Sequence, residues 1–155
     1  MWTRSGVGDR GPCYFGRVGT EPANRPDFPG RPRVLVADDN ADVRQLWRAF
    51  LTLSGFVVSE AANGMEALAR ALEDSPAVIL MDFSMPGMDG AAAGRALKRD
   101  LRTAAIPVVG LTGHGPEAGV YHFQDVCDIV LEKPLNPEAV VDALRRALQG
   151  NAAAG

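Results

Sequence analysis

The side chains best suited to chemistry in this chain are three aspartates, a threonine and a lysine. Asp38 and Asp39 follow the apolar run VLVA, Asp82 follows VILM, Thr112 ends IPVVGLT, and Lys133 comes after DIVLE. Carboxylates brought close together repel each other and favour a divalent cation, and Mg²⁺ prefers such oxygen ligands. A lysine and a hydroxyl beside them could hold phosphate oxygens. Asp82 could then act as a nucleophile that forms an aspartyl phosphate.

Each of these residues also has a purely structural interpretation. Asp38 and Asp39 could cap the helix that follows them, and Asp82 could be a turn residue before a Pro-Gly pair. Thr112 could be an ordinary strand-end hydroxyl, and Lys133 a solvated surface lysine. The chemical interpretation is favoured because all of them fall at the carboxyl ends of predicted strands.

From Arg33 onward the chain alternates strand-like apolar runs with helical patterns. The five strand runs are VLVA, FVVSEA, VILM, IPVVGLT and DIVL. The segments after them have apolar residues at helical spacing, although Gly115, Pro116 and Gly119 weaken the helix predicted over residues 113–125. Five strands alternating with helices predict an α/β domain whose parallel sheet is covered on both faces. In such a sheet the ligand site lies beyond the carboxyl ends of the strands.

The helical periodicity also predicts which apolar side chains line each helix. Asn63 and Asn136 are the expected N-caps of two helices, with Glu66 at the capping-box position, and Gly150 is the expected end of the last helix. The helix that follows the third strand is predicted over about Ala91 to Arg102. The predicted apolar positions are, in chain order, Val43, Leu46, Trp47, Phe50, Leu51, Met65, Leu68, Ala69, Leu72, Leu97, Leu101, Val140, Ala143, Leu144, Ala147 and Leu148.

The composition excludes several classes of protein. With 155 residues, 46% hydrophobic and 23% charged, the chain is typical of one soluble globular domain. A net charge of -3 without runs of like charge gives no sign of nucleic-acid binding, and no segment has the apolar length to span a membrane. Cys13 and Cys127 match neither a CxxC metal pair nor a disulfide framework. A reduced, cytoplasmic location is therefore expected.

The ends of the chain differ from its centre. Residues 1–32 are rich in Gly, Pro and Arg and lack the apolar core of a signal peptide. They are predicted to form a flexible N-terminal extension, residues 33–150 the folded domain, and residues 151–155 a short disordered tail with no output domain after it.

Residues 33–149 resemble the receiver domain of the two-component response-regulator family. The matching strings are VLVADDN, AANGMEAL, VILMDFSMPGMDG, VVGLTG and VLEKPL. The resemblance implies a flavodoxin-like (βα)5 fold, a three-layer sandwich whose parallel five-stranded sheet has the order 2-1-3-4-5.

The resemblance also implies a role for each site residue. Asp82 would be the phosphoacceptor, and Asp39, Asp82 and the backbone carbonyl of Ser84 would bind Mg²⁺ (or Mn²⁺), with Asp38 in support. Thr112 and Lys133 would bind the phosphoryl group. The bond from Lys133 to the proline after it is expected to be cis.

The function implied is that of a response regulator and not of a conventional enzyme, and the few residues after Gly150 favour a single-domain response regulator. Such a protein accepts a phosphoryl group from a histidine kinase or a histidine phosphotransfer protein and later loses it by self-catalysed hydrolysis. It signals by docking on a downstream protein partner, whose identity the sequence does not show, or by phosphorelay, without a nucleic-acid or membrane partner. Ser84 and His114 occupy positions that tune this hydrolysis. Val130 stands where the family usually has Tyr or Phe, so an aromatic switch is not expected at that position.

Two alternatives belong to other classes of protein. The first is a receiver-like protein-interaction module that switches weakly because Val130 replaces the aromatic residue. The second is a haloacid-dehalogenase-type phosphatase, which also uses a strand-end Asp, a Thr, a Lys and Mg²⁺. That family needs a second acid two residues after the nucleophile, where this chain has Ser84, so the phosphatase is disfavoured.

Overall fold

The computed structural model describes residues 30–83, 90–113 and 126–154. The strands are β1 (Arg33–Ala37), β2 (Val57–Ala61), β3 (Val78–Asp82), β4 (Val108–Thr112) and β5 (Ile129–Glu132). The helices in this part of the chain are α1 (Ala41–Leu53), α2 (Gly64–Asp74), α3 (Gly90–Arg99) and α4 (Pro137–Ala154). The helix predicted over residues 113–125 lies outside the described residues, apart from Gly113, as do residues 1–29.

The five strands form one parallel sheet in the order β2-β1-β3-β4-β5. This order and the flavodoxin-like arrangement confirm the fold predicted from the sequence. The first three helices each follow the strand before them, as parallel pairing requires, since a parallel neighbour is reached only through a crossover. All five residues of β3 and of β4 are buried, as expected for strands covered on both faces.

The core lies in two layers, one on each face of the sheet, because alternate strand residues point to opposite faces. One layer joins β-strand residues such as Val36 and Leu80 to Trp47 and Leu51 of α1 and Leu144 of α4. In the other layer half of the buried members are alanine, and the members are Leu35, Ala37, Ala61, Ala67, Ala71, Ile79, Met81, Ala93, Leu97 and Val108. The helices α1 and α4 thus cover one face, while α2 and α3 cover the other.

Five of the predicted apolar positions are wrong, because their side chains are exposed. Leu46 is 67% exposed, Met65 63%, Leu72 39% and Leu101 95%, and Ala69 is also exposed. On α2 the small residues Ala67 and Ala71 are fully buried, and Leu68 is half-buried against the same core layer. Periodicity selects a broad stripe of the helix, and the buried edge of that stripe carries these residues instead of Met65 and Leu72.

The ends of two helices also differ from the prediction. The helix α3 stops at Arg99, where the sequence predicts that it continues to Arg102, and a turn follows in which the Thr103 hydroxyl donates to the Leu97 carbonyl at 2.6 Å. Leu101 therefore lies in this turn and not on a helix face. The helix α4 continues past Gly150 to Ala154, so most of the predicted disordered tail is helical.

The predicted asparagine caps are present. Asn63 Oδ1 accepts from the Glu66 amide at 2.8 Å, and Asn136 Oδ1 accepts from the Glu138 amide at 2.9 Å. The Glu66 carboxylate reaches back to the amide of Ala62, one residue before the cap. These bonds satisfy amide groups that have no partner within the first turn of a helix.

Within the described residues, no helix combines the length and the apolar character that crossing a membrane requires.

Candidate functional site

The carboxyl ends of four strands bring the predicted site residues to one edge of the sheet. Asp38 directly follows β1, Asp82 is the last residue of β3, and Thr112 is the last residue of β4. Lys133 follows β5, and its amide donates to the Thr112 carbonyl at 2.8 Å. The parallel register therefore places side chains from four different segments next to each other.

Three carboxylates meet at this edge. One carboxylate oxygen from each of Asp38, Asp39 and Asp82 lies within 4.8 Å of the others. Asp38 and Asp82 are buried, at 4% and 3% exposed, while Asp39 is open to solvent. The Lys133 ammonium Nζ lies 3.6 Å from Asp82 Oδ1. Three negative groups with one nearby ammonium leave an excess of negative charge, which is the environment that a divalent cation stabilises.

Burial raises the pKa of Asp38 above its usual value. The hydrogen bond from the Asn40 amide to Asp38 Oδ1, at 2.9 Å, acts in the opposite direction. The neighbouring charge of Asp82 raises the pKa further, and Lys133 lowers it. The cluster therefore holds at least one carboxyl whose charged form is disfavoured unless a cation compensates it.

The purely structural interpretation of Asp38 and Asp39 as helix caps is wrong. The N-cap of α1 is Asn40, whose side-chain oxygen accepts from the amides of Asp42 and Val43. Asparagine is among the preferred N-cap residues, so the sequence does contain a signal for this role. Because Asn40 is the cap, the carboxylates of Asp38 and Asp39 are available to form the acidic cluster with Asp82.

The remaining predicted site residues fall in different places. Thr112 is buried at the end of β4, and the bond between Lys133 and Pro134 is cis, as the resemblance implies. Val130 is half-buried in β5, in register with Gly110 of β4. Ser84 and His114 lie outside the described residues, so the predictions for the Ser84 carbonyl and for both modulators stay predictions.

Phe83, the residue after Asp82, fills space that two glycines leave open. A Cβ atom on Gly110 would lie 2.3 Å from two atoms of the Phe83 ring, and one on Gly90 would lie 2.7 Å from the Asp82 carbonyl oxygen. Both positions therefore require glycine for close approach. The ring of Phe83 consequently lies over β4, on the face of the sheet to which Gly110 and Val130 belong.

Two further residues, which sequence reasoning missed, hold the loop that carries the acidic pair. Arg44 of α1 donates to the backbone carbonyl of Asp38 at 2.8 Å and to the carboxylate of Glu60 at 3.1 Å. Both are common surface residue types, and no motif marks them, so nothing in the sequence indicates this contact.

The comparisons with known proteins agree with this geometry. A family model described as the response regulator receiver domain matches residues 34–145. The chain is 38% identical to the transcriptional regulatory protein ResD of Bacillus subtilis (strain 168), over 79% of this chain and 52% of ResD. The chain thus spans about half the length of the curated relatives that it matches. Because ResD is named as a transcriptional regulator, the expected absence of a nucleic-acid partner stays a prediction.

Solved structures show the same fold. The Vibrio cholerae chemotaxis protein CheY4 is 31% identical, with a TM-score of 0.71, covering 76% of this chain and 99% of CheY4. The receiver domain of a sensor histidine kinase from Pseudomonas aeruginosa PAO1 is 24% identical, with a TM-score of 0.72, covering 77% of this chain and 99% of that domain. That structure has a magnesium ion coordinated in its active site cleft. By its matched residues, its sheet order and its solved neighbours, the chain belongs to the receiver domain family of response regulators, the family of two-component signalling.

Proposed function

We propose that this receiver domain accepts a phosphoryl group on Asp82 in a Mg²⁺-dependent reaction with a phosphohistidine donor. The observation that carries the proposal is the group of three carboxylates within 4.8 Å of one another, with the Lys133 ammonium 3.6 Å from Asp82. The donor would be a histidine kinase or a histidine phosphotransfer protein, as membership of the family suggests.

The oxygen donors at this edge fit Mg²⁺. Asp39 and Asp82 would hold the ion directly, Asp38 would support it, and the Ser84 carbonyl is the further ligand that the resemblance implies. All of these are hard oxygen ligands, as Mg²⁺ (or Mn²⁺) prefers. When bound, the ion supplies positive charge beside the phosphoryl oxygens.

The side chains of the chain itself would perform the transfer. A carboxylate oxygen of Asp82 attacks phosphorus, a P–O bond forms, and the P–N bond to the donor histidine breaks, leaving its electron pair on the imidazole nitrogen. Lys133 is close enough to Asp82 to contact an oxygen of the new phosphoryl group, and the Thr112 hydroxyl at the next strand end can donate to another. Water later attacks the acyl phosphate and returns Asp82 to a carboxylate.

The chain is proposed to act as a signalling protein and not as a conventional enzyme, since the group it would transform is its own side chain. The phosphoryl group adds negative charge beside two residues. Thr112 is the last residue of β4, and Lys133 is the first residue after β5. A change at these two segments would present a different surface to a downstream protein, or the phosphoryl group would pass to another histidine. Family membership argues against the phosphatase alternative.

A weakly switching interaction module is the second candidate, because Val130 is half-buried in β5 where the family usually has an aromatic side chain. The two candidates differ in how the fold responds to phosphorylation. A switching receiver shows changed amide chemical shifts around Val130 and Thr112, whereas a weakly switching module keeps them.

Intact-mass measurement after incubation with Mg²⁺ and acetyl phosphate tests the proposal. We expect the addition of one phosphoryl group in the wild type and none in Asp82→Asn. Asp142→Asn is the matched control, because Asp142 is an exposed carboxylate on α4 that pairs with Arg146, and it should be phosphorylated like the wild type. No adduct in the wild type, or an adduct that survives Asp82→Asn, would overturn the assignment.

A further inference from the structure

We propose that Arg44 is a positioning residue for the acidic cluster and acts through the backbone carbonyl of Asp38. This inference rests on the proposed Mg²⁺ site and adds to it a residue that touches neither metal nor phosphate.

The guanidinium of Arg44 is held on two sides. Its Nη1 donates to the Asp38 carbonyl at 2.8 Å, and its Nε donates to Glu60 Oε1 at 3.1 Å. The side chain is mostly buried, with 17% exposed. Because guanidinium is planar and its donors point in set directions, two partners at two positions determine its orientation. Arg44 therefore ties the β1–α1 loop to the end of β2.

The carbonyl that Arg44 binds belongs to the peptide unit joining Asp38 to Asp39. That unit is planar, so fixing its oxygen also fixes the direction in which the chain enters Asp39. On the other side of Asp38, its amide donates to the Ala61 carbonyl at 3.1 Å. The orientation of Asp39, a proposed metal ligand on an exposed loop, thus depends on a bond that comes from α1.

The positional effect of Arg44 can be separated from its charge, because Arg48 pairs with the same carboxylate, Glu60. Burial tends to raise the pKa of Glu60, but its bonds to Arg48 and Arg44 outweigh burial and hold that pKa below its usual value. Glu60 is thus a carboxylate shared between the two arginines. One carboxylate compensates only one of the two arginine charges, and replacing either arginine by alanine removes the same single positive charge. The hydrogen bond to the Asp38 carbonyl is therefore what distinguishes Arg44 from Arg48.

Arg48 is a natural control for this inference. It also lies on α1 and pairs with Glu60, through Oε2, but it sits one helical turn further along the helix from Asp38. Replacing Arg48 removes an ion pair to the same carboxylate without touching the loop that carries Asp38 and Asp39. The two arginines therefore separate loss of the ion pair from loss of loop positioning.

The test compares Arg44→Ala, Arg44→Lys and Arg48→Ala by two measurements: the Mg²⁺ dissociation constant by calorimetry, and the amide chemical shift of Asp39 in metal-free protein. Residues that hold metal ligands in place typically change affinity about 10- to 100-fold when mutated. We expect Arg44→Ala to weaken Mg²⁺ binding about tenfold and to move the Asp39 amide shift. Arg48→Ala should change affinity less than about twofold. Arg44→Lys should stay weakened, because one ammonium cannot reproduce both contacts of the planar fork.

The outcomes separate this inference from the proposed function. If Asp39→Asn abolishes Mg²⁺ binding but Arg44→Ala matches Arg48→Ala in both measurements, the positioning role is overturned and the metal site stands. If the wild type does not bind Mg²⁺, or Asp39→Asn leaves binding unchanged, both are overturned. Should Arg44→Ala fail to fold, Arg44→Lys keeps the charge and removes the planar fork, so weaker Mg²⁺ binding with a moved Asp39 amide shift supports the inference, while unchanged affinity overturns it.

Discussion

Lys133 Nζ lies 3.6 Å from Oδ1 of Asp82, although β4 separates the strands that lead to these two residues. The lysine side chain therefore reaches across the end of β4 to the carboxylate of β3. The distance is that of an ion pair and exceeds that of a hydrogen bond. Lys133 thus supplies positive charge near the same oxygens that a metal ion would occupy.

Replacing Lys133 by methionine should affect metal binding and phosphorylation in opposite directions. Loss of a neighbouring positive charge lowers the repulsion on an incoming cation, so Mg²⁺ affinity should rise, by roughly two- to tenfold for charges interacting near a protein surface. Phosphorylation should fall, because one contact to the phosphoryl oxygens is lost. Calorimetry measures the Mg²⁺ affinity, and intact-mass measurement gives the extent of phosphorylation.

Lys98→Met is the control for that substitution. Lys98 pairs with Asp128 at 3.7 Å and donates to the Ile106 carbonyl at 3.2 Å, at the amino ends of β4 and β5. Lys98→Met should therefore leave Mg²⁺ affinity unchanged. Weaker Mg²⁺ binding in Lys133→Met would contradict the electrostatic argument.

The raised pKa of Asp38 predicts how stability depends on pH in metal-free protein. In the interval between the ordinary aspartate pKa and the raised folded value, the folded protein binds more protons than the unfolded chain. Stability from this group therefore rises as pH falls through that interval and decreases as pH rises through it. Asp38→Asn, whose amide oxygen can keep the bond from the Asn40 amide, should stabilise the metal-free protein above the interval.

Thermal unfolding without Mg²⁺, repeated over a series of pH values, measures this contribution. The difference in unfolding temperature between Asp38→Asn and the wild type should decrease as the pH is lowered, because protonation of Asp38 then removes the same charge in the wild type. A difference that is independent of pH would show that burial of the charge is not its cause.

A methyl group at Gly110 should destabilise the fold. The new Cβ would lie 2.3 Å from the Phe83 ring and 3.0 Å from Cys127 Sγ, so the ring must move. Overpacking of this kind costs about 1–3 kcal/mol. Denaturant unfolding of Gly110→Ala measures the loss, and phosphorylation should also fall, because Phe83 follows Asp82 directly.

The double variant Gly110→Ala with Phe83→Leu tests whether the ring is the cause. Leucine leaves room for the methyl group, so the two changes should be less than additive. Full additivity, or an unchanged unfolding midpoint in Gly110→Ala, would contradict the packing described between Gly110 and Phe83.

The thiol of Cys127 should react slowly in the folded protein. Burial raises its pKa to about 12, the charge of Asp128 acts in the same direction, and Lys98 opposes them. Because the thiolate is the reactive form, alkylation at neutral pH should be about a thousandfold slower than for a free cysteine. Iodoacetamide labelling followed by mass measurement, in a Cys13→Ser background, isolates this thiol. The same protein in denaturant is the control, and equal rates in the two states would contradict the prediction.

The sheet and the placement of its site residues could be predicted because both follow from the parallel arrangement. Four of the five apolar runs lead to a site residue such as Asp82 or Thr112, and parallel strands bring these ends to one edge. The contact of Arg44 with Asp38 could not be predicted, since it depends on how a long side chain from α1 crosses to another element. The same holds for Phe83 over Gly110, where the requirement for glycine is visible only after the ring has been placed.

Helix faces were harder to predict than strand order for a physical reason. Met65 and Ala67 lie on the same helix, and periodicity alone favours the larger side chain for the core. The structure buries Ala67 and exposes Met65, so the packing of the whole domain decides which edge of the helix faces the sheet.

The side chains that the helices contribute to the two core layers differ in size, and this difference affects which part of the domain unfolds first. Hydrophobic stabilisation grows with the apolar area buried, and in the part of the chain that the structure describes, α1 contributes Trp47 and Leu51 where α2 contributes Ala67 and Ala71. The least costly partial opening is therefore the detachment of α2, as a sub-global unit. The acidic cluster depends on β1, β3 and α1, so it belongs to the part that opens last. Metal binding would then survive a fluctuation that has already exposed to water the part of one core layer that α2 covers.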